Sequence, residues 1–276
     1  MKTMIFDITL PLVLFFLNLA VIWLYKKFEP KIKKTVEEKE LSIKEAIFLV
    51  ILIAIFVSVV VFVPGIALKT MFIFVFSLSL FTFVYIGTEK WYIAILPPII
   101  FLVLYFFQWN IYWLNLFAII FAILITVYLG SFFNWETTLV FAVLLTSMDI
   151  FLIFVTGSMV QAAKTLRGHE LPIAIELPII PILYTNNGQI ASMLFGLGDL
   201  FFAGLLSIQT LKKFEEKTAI ISAIAMSASL FAFEALILTY SIHVFPGTLM
   251  IICGWLITMA FATITKRKRQ HQIHEH

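Results

Sequence analysis

The chain has 276 residues, 62% of them hydrophobic and 13% charged, with a mean hydropathy of +1.06. A water-soluble domain carries about a quarter of its residues charged, so this composition excludes a soluble globular protein and makes lipid the solvent. The single cysteine, Cys253, excludes an internal disulfide and a cysteine-based zinc site, and the net charge of +3 comes from basic residues that flank apolar runs, a mark of topology rather than of a nucleic-acid partner.

A helix needs about 20 residues to cross a hydrocarbon core of about 30 Å. In chain order, apolar runs at 4–25, 43–63, 67–87, 91–107, 111–130, 137–160, 189–211, 218–240 and 245–265 predict nine spans. The expected fold is an all-α polytopic membrane protein, a nine-helix bundle forming one membrane domain over 1–276. The first run reads as a retained signal anchor, because its apolar length is nearly a full span and no small-x-small site precedes Lys26-Lys27. The fourth is short and carries Pro97-Pro98. Two charged dividers, Lys26 to Glu45 and Lys164 to Gly188, interrupt the series. Five spans fall in 1–136 and four in 137–276, and a basic tail occupies 266–276.

Lys and Arg distribute unevenly between the two sides of such a bundle. Lys26, Lys27, Lys31, Lys33, Lys34, Lys39, Lys44, Lys90, Lys212, Lys213, Lys217, Lys266, Arg267, Lys268 and Arg269 share one side, against Lys2, Lys69, Lys164 and Arg167 on the other. The richer side is expected to be cytoplasmic. The N-terminus and the loop from Lys164 to Gly188 are then outside, and the C-terminus is inside. Compact loops fit a prokaryotic cell membrane.

The aspartates are Asp7, Asp149 and Asp199. Asp7 lies near the outer end of the first run, within reach of water. The others fall inside the sixth and seventh runs, where an acid costs roughly 2.5–3.5 kcal/mol to insert and so needs a reason. Counted from Trp135 in one case and back from Lys212 in the other, they reach similar depths on antiparallel helices. Two carboxyls that meet share a proton; such a pair can hold a water, take its proton as it attacks a peptide carbonyl, and protonate the departing amine. Each acid could instead be a structural hydrogen-bonding residue or part of an ion path. Gly196 and Gly198 remove side-chain bulk ahead of Asp199, which leaves room for another backbone.

Gly196-Leu197-Gly198-Asp199 matches the Gly-x-Gly-Asp signature of the presenilin and signal peptide peptidase family of intramembrane aspartyl proteases, and the chain resembles that family in its expected count of spans and in placing its two acids in spans six and seven. The run from Asp149 through Thr156 to Met159 looks like the archaeal branch. Pro246-Gly247-Thr248-Leu249 stands where the family carries Pro-Ala-Leu, keeping the proline only, and Met148 replaces a usual tyrosine. The resemblance implies that Asp149 and Asp199 are catalytic, that Gly196, Leu197, Gly198, Pro246, Gly247 and Thr248 shape the substrate cleft, and that no metal or cofactor takes part. It implies transmembrane peptides or remnant signal peptides as substrates, with oligomerisation open. The outside loop favours the signal peptide peptidase branch.

Within that loop, Leu171 to Leu177 is apolar without helix caps, and is expected either to pair with an unwound substrate as an added strand or to lie along the membrane surface. Glu234 is expected to bond a neighbouring helix or to line a water path, and Asn18 to make an interhelical hydrogen bond. His271, His274 and His276 read as a solvated tail beside a basic run that meets anionic headgroups. Competing readings are a prepilin or preflagellin peptidase, which shares Gly-x-Gly-Asp but usually has lysine soon after it, a transporter or channel using the acids, and a helix-binding chaperone.

Overall fold

A computed structural model describes residues 5–35, 40–184, 188, 190–240, 242 and 244–274. Helices α1 (Thr9–Thr35), α2 (Ile43–Val59), α3 (Gly65–Thr88), α4 (Trp91–Ala94), α5 (Leu96–Phe107), α6 (Ile111–Phe132), α7 (Trp135–Phe154) and α8 (Ser158–Arg167) lead to a hairpin, β1 (Ala174–Pro178) and β2 (Ser192–Gly196). The chain then continues through α9 (Leu197–Lys213), α10 (Glu216–Tyr240) and α11 (Gly247–His274). Among the described residues, seven helices are long and apolar enough to cross a membrane, so the chain is a multi-pass membrane protein. The pieces Trp91–Phe107 and α9, each 17 residues, are shorter.

The outside of the bundle is as apolar as its inside. Phe16 and Val143 are each 62% exposed and Phe261 69%, a surface that only lipid tails can solvate. Inside, α1 packs on α6, α9 and α10, and α11 folds back along α10. That last approach is close: a Cβ on Gly254 would overlap the Ala225 carbonyl. A second, aromatic core joins α3, α5 and α6, with Phe76 stacked on Phe121 at 3.9 Å and Phe101 edge-on to both.

Helix starts follow local chemistry. Ser42 and Glu45 form a capping box on α2, and Asn110 accepts the Tyr112 and Trp113 N–H groups to cap α6. Asn134 and Thr137 cap α7 reciprocally. Such caps contribute about 1 kcal/mol each. The last carbonyls of α6 and its following turn are met from α9: Gln209 donates to Gly130 and Phe133, and Lys212 donates to Gly130, Ser131 and Phe133. Helix α9 is thereby held against α6 at the end rich in basic residues.

Several expectations change. The sixth run was expected over 137–160, but α7 stops at Phe154 and the chain turns at Gly157, whose φ is +66°, before α8. The seventh was expected over 189–211, but residues 192–196 form a strand and the helix opens at Leu197. Apolar runs of this length suit strand and helix equally, and here pairing with β1 decides. The all-α expectation is therefore interrupted by one two-stranded sheet. Helix α1 continues through Pro30 into the charged divider. Asn18 is buried, yet its side-chain nitrogen and oxygen have no partner among the described residues. Lys2, Lys39, Asn186, Asn187, Gln189 and His276 lie outside the described residues, as do the side chains from 265 onward, so the tail readings stay with the sequence.

Candidate active site

Asp149 sits near the C-terminal end of α7 and Asp199 in the first turn of α9. The two carboxyls are close enough for each to feel the other's charge. Neither is at the middle of a long helix, as expected from sequence; both sit where two helices end and a cavity opens between them. Asp149 is 4% exposed, while Asp199 is partly exposed to that cavity.

The start of α11 holds both acids. Thr248 donates its hydroxyl to Asp149 Oδ2 at 2.7 Å, and its main-chain N–H adds a second bond. Gly247 packs directly on Asp199: a Cβ there would lie 2.6 Å from Cγ and 2.7 Å from each carboxyl oxygen. On the other side the Gly196 N–H donates to the Asp199 carboxylate, and a Cβ on Gly196 would come within 3.1 Å of Oδ2. The N-termini of α9 and α11, each the positive end of a helix dipole, converge on the pair.

The other predicted cleft residues separate by role. Gly196 and Gly247 line the cavity. Leu197 packs into the hydrophobic cores and donates its N–H to the Ile173 carbonyl at 2.8 Å. Pro246 is buried and accepts the Met250 N–H. Gly198 is exposed, with nothing within 4 Å of where a Cβ would stand.

The cavity encloses about 690 Å³, within the range of ligand-binding clefts. Its walls come from α2, α7, α8, both strands, α10 and the start of α11. Lining it are apolar groups such as Phe56, Ile153, Met159 and Phe245, together with Asp149, Asp199, Glu176 and Glu234. Among the described residues, no cluster of three His, Cys, Asp or Glu is placed to hold a metal ion.

Pairing in the hairpin leaves one edge open. Ile175 pairs with Phe195 and Leu177 with Met193, and the flanking bonds Leu197 N–H to Ile173 and Ile179 N–H to Ala191 fix which residues face across. Ala174, Glu176 and Pro178 therefore turn their main chain away from β2, as Ser192, Leu194 and Gly196 turn theirs away from β1. Most of the β1 edge is closed. Asn115 on α6 accepts the Glu176 N–H at 2.8 Å and donates to its carbonyl at 2.7 Å; Pro178 has no N–H, and its carbonyl accepts the Thr9 hydroxyl. Strand β2 lines the cavity along its length, Ser192 to Gly196, and runs directly into the turn that carries Asp199. The stretch expected to receive a substrate strand is thus a strand, but its partner is β2, whose Ser192 and Leu194 main-chain groups on the far edge meet no partner among the described residues.

Asn115 was not visible as functional in the sequence; an asparagine inside the apolar run 111–130 was the available signal. Removing it should expose the Glu176 main chain. Asn115→Leu is expected to destabilise the hairpin by about 1–3 kcal/mol, read as faster hydrogen exchange at the Glu176 amide, with exchange in α1 unchanged. Asp7, expected in water, is fully buried: it accepts N–H groups from Thr9, Leu10 and Ile180, capping α1 and tying it to the chain after β1. Glu234, expected chiefly to bond a neighbouring helix, has an Oε2 with no partner among the described residues and faces the cavity instead.

Compared with known proteins, the chain matches no protein-family model and none of the curated proteins.

Proposed function

We propose that this chain is an intramembrane aspartic protease of the presenilin and signal peptide peptidase type, with nine spans, an outside N-terminus and a cytoplasmic C-terminus. The observation that carries the proposal is the meeting of Asp149 and Asp199 at one cavity, each pinned by the start of α11. One shared proton lies between the carboxyls. A water held by both attacks the scissile carbonyl, its proton passing to the ionised carboxylate. The protonated carboxyl gives its proton to the carbonyl oxygen, and the tetrahedral intermediate collapses as the C–N bond breaks. One hydroxyl of the collapsing intermediate returns its proton to the carboxylate that gave one to the carbonyl oxygen, and the leaving amine takes up the proton that came from water, which restores the singly protonated pair.

A substrate helix must unwind before it can reach the pair, and unwound backbone needs hydrogen-bond partners inside a bilayer. The β2 edge at Ser192 and Leu194 offers them, an added strand that would lead the scissile bond to Asp199. With the loop from Lys164 to Gly188 outside, the resemblance to signal peptide peptidases implies substrate helices whose N-terminus is cytoplasmic, remnant signal peptides among them.

The test is purified protein in liposomes with a transmembrane signal-peptide substrate, its products identified by mass spectrometry. Cleavage within the apolar segment, blocked by a peptide carrying a hydroxyl-bearing tetrahedral carbon at the scissile position, is expected. No cleavage across lipids and pH would refute the proposal. Thr248→Val removes a hydrogen bond worth about 1.5–3 kcal/mol to a charged acceptor. A fall in kcat of about 10- to 100-fold is expected, with melting lowered by a few degrees, and Thr248→Ser should restore most of both.

A further inference from the structure

Glu234 lies in α10 on the wall of the same cavity as Asp149 and Asp199, and is 1% exposed. Its neighbours along that wall include Ile237, Leu238 and Phe245, and its Oε2 has no partner among the described residues. Asp7 is near enough for its charge to reach Glu234, but the Asp7 oxygens are engaged by the N–H groups of Thr9, Leu10 and Ile180, and a carboxylate has no hydrogen to give. No lysine, arginine or histidine among the described residues lines the cavity. A buried carboxyl oxygen without a partner is costly in a membrane protein, where an acid inside a span costs roughly 2.5–3.5 kcal/mol on insertion scales. The partner it lacks in the protein can come from whatever fills the cavity.

We propose that Glu234 forms a subsite of the cleft that takes a hydroxyl or carboxamide side chain of the transmembrane substrate, and so sets where that substrate is cut. This rests on the protease reading above. Strand pairing along β2 uses the substrate's main chain, leaving alternate side chains to be read by the walls. Serine, threonine, asparagine and glutamine are the polar residues that membrane helices carry at modest cost, and each can both donate to and accept from a carboxyl. Ile237, Leu238 and Phe245 beside Glu234 suit an uncharged side chain better than a lysine.

The experiment walks a single asparagine or serine through an otherwise Leu/Ala transmembrane peptide. Cleavage by the full chain in liposomes, and binding of the fluorescent peptides by polarisation, are measured in parallel. One position, at a fixed offset from the cut, is expected to raise both cleavage and binding about tenfold over the all-apolar peptide, the worth of one such hydrogen bond. In Glu234→Leu that ratio should fall to about one, and in Glu234→Gln it should persist. Glu234→Met serves if the leucine variant does not fold. The same ratio in wild type and Glu234→Leu, or no favoured position in wild type, overturns the subsite. A binding preference that depends on Glu234 without any cleavage overturns the protease reading and leaves the subsite standing.

Discussion

Asp199→Asn is expected to lower kcat/KM for a transmembrane peptide by about 10⁴-fold, the upper range for removing a positioned acid or base, while the protein melts no earlier than wild type. Asparagine keeps the shape of the side chain and an oxygen for the Gly196 N–H, so the bond that caps the first turn of α9 survives. What it cannot do is share a proton with Asp149. Removing one of two neighbouring acids also relieves repulsion, and substitutions at strained functional sites commonly leave stability unchanged or raised. Asp149→Asn should behave the same way, retaining an acceptor for Thr248. Because the pair acts as one unit, the double variant should be no slower than either single variant. A purely structural role predicts the opposite pattern: lower melting temperatures, additive losses and residual cleavage. Cleavage rates and thermal melts on the same four proteins separate the two.

The sequence made the acids visible because charge inside an apolar run is conspicuous, and counting residues from Trp135 and Lys212 led to the expectation of a common depth. The membrane bundle was visible for a related reason: hydropathy over 20 residues integrates a large signal. The ends of the sixth and seventh runs were not. Met193, Leu194 and Phe195 are as suited to a helix as to a strand, and only their pairing with Ile175 and Leu177, set by chain folding, makes them β2. That hairpin moved the site from the middle of two full-length spans to the mouth of a cavity. Thr248 was legible as a departure from a motif but not as a hydrogen-bond donor to Asp149, because the approach of α11 to α7 depends on packing more than 90 residues apart in the chain. Asp7 shows the reverse error. Its position near a terminus suggested water, whereas three N–H groups bury it completely.

The same packing gives the sharpest contrast between motif and geometry, at Gly247. Restoring the alanine of the Pro-Ala-Leu pattern looks harmless by resemblance, and a helix N-terminus accepts alanine without backbone strain. Yet the added Cβ would stand 2.6–2.7 Å from the Asp199 carboxyl, well inside ordinary contact. The carboxyl has little room to retreat, since the Gly196 N–H holds it and Gly196 packs so closely that a Cβ there would lie 3.1 Å from Oδ2. Gly247→Ala should therefore displace the acid by a fraction of an ångström to about 1 Å, enough to cost about 10²-fold in kcat/KM when reacting groups must align. Stability should barely change, because what moves is a side-chain end and not the fold. Gly254→Ala is the matched control. There the new Cβ meets the Ala225 carbonyl, which is backbone, so the α10–α11 contact must open at about 1–3 kcal/mol. One glycine should lose activity without stability, and the other should lose stability first. Gly247→Ala cleaving within threefold of wild type would mean that α11 does not set the position of Asp199, and that the acid is held by Gly196 alone.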